Sequence, residues 1–161
     1  MRKSLGLIGF GNFGQFITPY LTPYFDITIF NKTSRKEEVK LLKVKEGTLE
    51  EVAKKDIVIL CIPVQFLEEI LIEIKSFVKK DAMFVDVSSV KVKPVQLMKK
   101  YLPSTVTIIP THPLFGPQSG KNGIKGLNFV LCPVKPKIDQ LLYRFFTEEI
   151  GLNVLELSLI H

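Results

Sequence analysis

The chain has 161 residues, 46% of them hydrophobic and 24% charged, with a formal net charge of +6 at neutral pH. That length supports one hydrophobic core, and the balance of apolar and charged residues excludes wholesale disorder. Two cysteines are too few for a disulfide-stapled miniprotein. The lysines are scattered from Lys3 to Lys137 without a dense block, no apolar run approaches the roughly 20 residues of a membrane span, and Met1-Arg2-Lys3 leads directly into structured sequence. The expectation is a cytoplasmic protein with neither a nucleic-acid nor a membrane partner.

In chain order, apolar runs rich in Val, Ile and Phe occur at residues 5–8, 27–30, 57–62, 84–87, 106–109 and 129–131, each with the length and composition of a strand buried on both faces. After the first, the expected helix contains Pro19 and is followed by Pro23. An interior proline removes a backbone hydrogen bond at a cost of about 3 kcal/mol, so this helix is expected to be kinked or short. Thr48-Leu49-Glu50-Glu51 has capping-box spacing and predicts a short helix leading to Asp56. Helical periodicity returns at Phe66, Leu67, Ile70, Leu71 and Ile74. It appears again over residues 138–150, where Gly151 is placed to end the helix.

A last strand is expected at 153–157, and residues 152–160 form an apolar stretch suited to association. Cys61 and Cys132 sit in apolar runs without metal-ligand spacing and read as buried, reduced thiols. Strands alternating with helices predict an α/β fold of Rossmann type, a doubly wound, mostly parallel sheet with helices on both faces, and residues 1–161 read as one dinucleotide-binding domain.

The first strand runs into Gly9-Phe10-Gly11-Asn12-Phe13-Gly14. A GxGxxG between a strand and a helix offers a tight turn at Gly9, close approach of a diphosphate at Gly11 and close packing at Gly14. The loop Gly9, Gly11, Asn12, Phe13 and Gly14 is therefore the expected cofactor-binding turn, with the diphosphate on the helix N-terminus. The second strand ends at Asn31, where an acid usually bonds the ribose of NAD. Here the sequence reads Asn31-Lys32-Thr33-Ser34-Arg35, hydrogen-bonding and cationic groups suited to a 2′-phosphate, so NADP is expected over NAD. A basic turn that merely tolerates NADP is the alternative reading.

Only two histidines occur, His112 and the last residue, His161. His112 lies just past the predicted 106–109 strand, in a loop at the carboxyl end of the sheet, and is either a general base or a histidine that simply bonds a carbonyl. A second constellation, Asp86-Val87-Ser88-Ser89-Val90-Lys91, ends the 84–87 strand. Its serines read equally as helix caps or as site residues.

Taken together, the glycine loop, Asp86-Val87-Ser88-Ser89-Val90-Lys91 and Thr111-His112-Pro113-Leu114-Phe115-Gly116-Pro117-Gln118-Ser119-Gly120-Lys121 resemble, in order and spacing, the nucleotide-binding domain of the prephenate/arogenate dehydrogenase family. The resemblance is strongest to its plant arogenate-type members. It implies NADP-dependent oxidative decarboxylation of a small-molecule substrate, prephenate or arogenate, in tyrosine biosynthesis. His112 would take the ring-hydroxyl proton, and Ser89 would orient His112 and that hydroxyl. Lys91 would be either a site residue or a solvent-exposed one.

Gln118 stands where the family usually carries an acid. The family's C-terminal helical dimerisation domain is absent from these residues, so the resemblance also implies a homodimer or a separate helical partner. The alternatives are an NADP(H)-binding module without turnover and a related β-hydroxy-acid or imine reductase.

Overall fold

In the computed structural model, which describes residues 2–134 and 139–158, the strand and helix patterns resolve into one sheet covered on both faces. The elements are β1 (Ser4–Ile8), α1 (Asn12–Leu21), β2 (Asp26–Phe30), α2 (Lys36–Leu41), β3 (Lys45–Glu46), α3 (Leu49–Ala53), β4 (Ile57–Leu60), α4 (Leu67–Ile74), β5 (Met83–Asp86), α5 (Val92–Tyr101), β6 (Thr107–Pro113), β7 (Asn128–Leu131), α6 (Gln140–Arg144) and β8 (Asn153–Glu156). The strand order is β3-β2-β1-β4-β5-β6-β7-β8, and every pairing is parallel except β6 with β7. The order reverses at β1, whose neighbours are β2 and β4. In an open α/β sheet the crevice at such a switch point is where ligands bind.

The strands read as continuous apolar runs because both faces are covered. Val58, Leu60 and Phe84 pack on one face with Val52 of α3, Leu67 and Leu71 of α4 and Met98 of α5. Leu5, Leu7, Ile29 and Val85 pack on the other with Leu21 of α1 and Val39 of α2. A third cluster joins Phe115, Ile124, Phe129 and Leu152 to Phe13 and Phe16 of α1. At roughly 1.5–3 kcal/mol for each fully buried large apolar side chain, these clusters supply the main favourable term that holds the sheet to its helices.

The expected capping box forms. The Glu51 amide donates to Thr48 Oγ1 at 3.1 Å and the Thr48 amide to Glu51 Oε2 at 3.3 Å. Pro19 lies in the last turn of α1, which stops at Leu21, so the lost hydrogen bond falls where the helix is already ending. Gly151 turns the chain at φ +83° after α6 and the single π-helical turn Phe145–Glu149. The expected start of this last helix, at Ile138, lies outside the described residues.

Three local expectations are corrected. The 106–109 strand extends to Pro113, because β6 leaves β5 at Pro110 and pairs antiparallel with β7 from Thr111, so His112 is a strand residue opposite Val130. Leu152 is buried in the third cluster, leaving Leu155 and Leu157 as the exposed leucines of the apolar stretch, whose residues Leu159 and Ile160 lie outside the described part. Cys132 is buried but Cys61 only partly so, and both are free thiols. No helix among the described residues is long and apolar enough to cross a membrane.

Candidate active site

The glycine loop leaves β1 at its carboxyl end and is fixed from three sides. The Gly9 amide donates to the Phe30 carbonyl at 2.8 Å, the Phe10 amide to Asn31 Oδ1 at 2.8 Å, and Gln15 Nε2 to the Phe10 carbonyl at 2.9 Å. Gly9 has φ +99°, and a Cβ there would stand 2.3 Å from the Cys61 carbonyl oxygen. At Gly14 a Cβ would meet the Gly9 carbonyl oxygen at 2.6 Å. Both positions therefore require glycine, one for the turn and both for the close packing of β1, β4 and α1.

Gly11 differs, since a Cβ there would meet nothing within 4 Å. Its glycine is not required by the protein's own packing. The open position lies at the N-terminus of α1, where Gly11 is the N-cap and no side chain caps the first amides. Those amides, with Asn12 and Phe13 leading the helix, present donors and the positive end of the helix dipole to an anion. The residues present thus fit a dinucleotide diphosphate.

Next to this loop lies the turn after β2. Asn31 is committed on both sides of its amide, accepting from Phe10 and donating Nδ2 to the Thr33 carbonyl at 2.7 Å, so it braces the glycine loop against the turn. Ser34 Oγ donates to Glu46 Oε2 at 3.2 Å, the Arg35 amide donates to Glu46 Oε1 at 3.3 Å, and Arg35 Nη1 pairs with Glu38 at 3.4 Å. Lys32 and Thr33 are exposed, and Lys32 has no ion-pair partner among the described residues. The turn therefore carries the acids Glu46 and Glu38, although the end of β2 itself has none.

At the far side of the same sheet edge, β5 ends in Asp86 and β6 continues through Thr111 to His112. Asp86, Lys91 and Thr111 are all buried, at 2%, 6% and 0% exposure. Lys91 Nζ donates to Asp86 Oδ2 and to the Thr111 carbonyl, and Thr111 Oγ1 donates to the Asp86 carbonyl at 2.8 Å. Ser88 closes the loop locally, its Oγ donating to Asp86 Oδ2 at 2.9 Å or to the Val90 carbonyl at 2.8 Å. The solvent-exposed alternative for Lys91 is thus overturned. It is an interior ammonium, tolerated because a carboxylate and a carbonyl replace its water.

His112 is partly buried. Burial, reinforced by the Lys91 charge and opposed by Asp86, holds its pKa below the ordinary histidine value. Below that ordinary value the unfolded chain takes up the proton more readily than the folded one. The group therefore costs no stability at neutral pH and costs it progressively as the solution is acidified. For the chemistry, the consequence is an imidazole that is neutral, and so able to accept a proton, at neutral pH. Ser89 is exposed, and no hydrogen bond joins it to His112 among the described residues.

The loop after His112 is anchored to the helix that follows the glycine turn. Phe115 packs with Phe13 and Phe16, at ring-centroid distances of 6.5 and 6.3 Å. A Cβ on Gly120 would lie 2.4 Å from the Phe16 ring. Ser119 Oγ accepts from the Gly116 amide at 3.0 Å, and the Gly120 amide bonds the Gly116 carbonyl at 2.8 Å. The Gly-Pro-x-Ser-Gly stretch is therefore a fitted turn that ties the His112 loop to α1. Leu114 and Gln118 are left exposed.

This architecture, with its glycine cradle at the β1 switch point, defines a Rossmann-type nucleotide-binding domain. Residues 27–151 match the family model described as prephenate dehydrogenase, nucleotide-binding domain. The chain is 34% identical to arogenate dehydrogenase 1, chloroplastic, of Arabidopsis thaliana over 143 residues, covering 86% of this chain and 22% of that one. It is also 34% identical to arogenate dehydrogenase 2, chloroplastic, of the same plant over 148 residues, covering 83% and 40%. It superposes on prephenate dehydrogenase from A. aeolicus, solved in complex with hydroxyphenyl propionate and NAD+, with a TM-score of 0.79 at 22% identity, covering 99% of this chain and 61% of that one. The chain belongs to the prephenate dehydrogenase family, through its nucleotide-binding domain, and spans less than half the length of the two Arabidopsis relatives.

Proposed function

We propose that this chain is the nucleotide-binding and hydride-transfer half of an NADP-dependent dehydrogenase that oxidatively decarboxylates prephenate or arogenate in tyrosine biosynthesis. One observation carries the reading. The glycine cradle and a histidine kept neutral by its surroundings stand at the same edge of one sheet, joined by the Phe13–Phe16–Phe115 contact.

When bound, the nicotinamide supplies the hydride acceptor. The chain's own contribution is to hold the diphosphate on Gly9, Gly11, Asn12, Phe13 and Gly14, and to accept the substrate hydroxyl proton on His112. As that hydroxyl becomes a carbonyl, loss of the carboxylate as carbon dioxide leaves an aromatic ring. Ser89 is the second catalytic residue of this proposal. Its hydroxyl has no protein partner among the described residues and is available to the substrate. A helical domain beside this one completes the substrate side. The cytoplasmic location belongs to the same proposal.

The preference for NADP rests on the cations of the Lys32–Arg35 turn. Replacing Arg35 by Ala is expected to weaken NADP about tenfold or more with little effect on NAD, since a charge-assisted hydrogen bond contributes about 1.5–3 kcal/mol. Equal loss for both in calorimetric titration removes Arg35 from phosphate recognition. For the function itself, the protein in its native assembly is given NADP with prephenate or with arogenate. NADPH formation with one of them is expected, and formation with neither overturns the assignment.

A further inference from the structure

We propose that Glu46 sets the choice between the two dinucleotides. It is an acid delivered to the ribose turn from β3, where one at the end of β2 would be expected. The proposal rests on the reading of residues 31–35 as the turn that receives the adenosine ribose, and it adds a residue which that reading did not contain.

The placement follows from register. β3 pairs with β2 so that Glu46 lies beside Ile29, and the Gly47 amide donates to the Ile29 carbonyl at 2.8 Å. Glu46 therefore leaves the sheet under the turn that follows Phe30. Its two carboxylate oxygens take the Ser34 hydroxyl at 3.2 Å and the Arg35 amide at 3.3 Å. Those are two of the donors a 2′-phosphate would otherwise use. The Arg35 guanidinium is turned toward Glu38, while its Nε is shielded from solvent and has no partner.

Asn31, Lys32, Ser34, Glu46, Gly47 and Thr48 line one cleft of about 580 Å³, so a ligand at this turn meets Lys32 and Glu46 together. A carboxylate accepts hydrogen bonds and donates none when ionised. It suits the free hydroxyls of an NAD ribose and repels a phosphate dianion a few ångströms away. Lys32 acts in the opposite direction. Glu46 thus restrains the preference for NADP that the cations of the turn create, and the chain accepts NAD as well.

The test uses the full chain and calorimetric titration with NADP and with NAD, on the wild type, Glu46→Gln and Lys32→Ala. Gln removes the charge but keeps Oε1 as the acceptor for the Arg35 amide, and its Nε2 donates to the Ser34 hydroxyl oxygen in place of the bond that Ser34 donates to Glu46, so the turn is retained. Circular dichroism and a thermal melt check that each variant is folded.

Glu46→Gln is expected to raise the affinity ratio of NADP over NAD at least tenfold, mainly by tightening NADP, and Lys32→Ala to lower it. If Lys32→Ala lowers the ratio and Glu46→Gln leaves it unchanged, or weakens both nucleotides equally, Glu46 is a structural brace and the inference is overturned. If neither variant moves the ratio although both nucleotides bind, the turn does not receive the ribose, and the reading beneath the inference fails with it.

Discussion

Replacing His112 by Asn is expected to lower turnover by about 10²–10⁴-fold, the usual contribution of a positioned general base, while dinucleotide affinity stays at the wild-type value. Asn has similar size and polarity but cannot take a proton at neutral pH. The strand position opposite Val130 needs only a side chain that leaves the β6–β7 pairing intact. Steady-state rates of NADPH formation and a parallel calorimetric titration separate the two effects. An unchanged rate would remove His112 from the mechanism, and a lost affinity would make it a binding residue.

The wild-type pH profile carries the same logic. Since burial and Lys91 hold the His112 pKa down, kcat/KM should be level around neutral pH and fall only on the acid side of the ordinary histidine value. With the opposite sign of shift the fall would be centred above the ordinary histidine value.

The second large effect is expected at Lys91. Changing it to Met removes one member of a pair whose side chains are 4% and 3% exposed and leaves Asp86 buried without its counter-charge. A loss of about 3–5 kcal/mol in folding stability is expected, measured by urea unfolding. The double change Asp86→Asn with Lys91→Met should recover much of it, because no uncompensated charge then remains in the core. Additive losses would show that the two side chains do not act as a pair.

Enough folded Lys91→Met protein for kinetics would allow a further check. With the ammonium gone, a force that lowers the His112 pKa is gone, so the acid limb of kcat/KM should move to higher pH. An unmoved limb with reduced stability would mean that Lys91 braces the strands and does not tune the base.

Much of this site was legible locally. The glycine spacing after an apolar run and the capping box at Thr48 are signals carried by neighbouring residues, and the fold forms the strand–turn–helix and the capped helix as expected, whereas His112 stands in β6 where a loop was expected. What local reading could not see depends on register between distant strands. Glu46 comes under the β2 turn only because β3 pairs with Ile29, and a search for an acid confined to the end of β2 passes over it.

Lys91 was ambiguous for a related reason. A lysine two residues after Ser89, in the loop past a strand, reads as surface until β6 brings the Thr111 carbonyl beside Asp86. A strand-terminal Asp followed five residues later by a Lys, just before a helix, was the available hint. The extension of β6 through His112 was hidden by Pro110 and Pro113. Proline cannot donate to a ladder and usually argues against a strand, but here β6 changes neighbour at Pro110 and ends at Pro113.

Binding of a pyridine dinucleotide on the glycine cradle depends most sharply on Gly11. Its backbone is in an ordinary extended conformation, at φ −78° and ψ −157°, and a Cβ meets nothing within 4 Å. Gly11→Val should therefore fold and melt like the wild type while placing a side chain where the diphosphate must approach. Calorimetric titration with NADP and NAD is expected to show binding by the wild type and a loss of at least tenfold for both nucleotides in the variant. Equal binding by the two proteins, or no binding by a well-folded wild type, would show that the cradle does not hold the nucleotide.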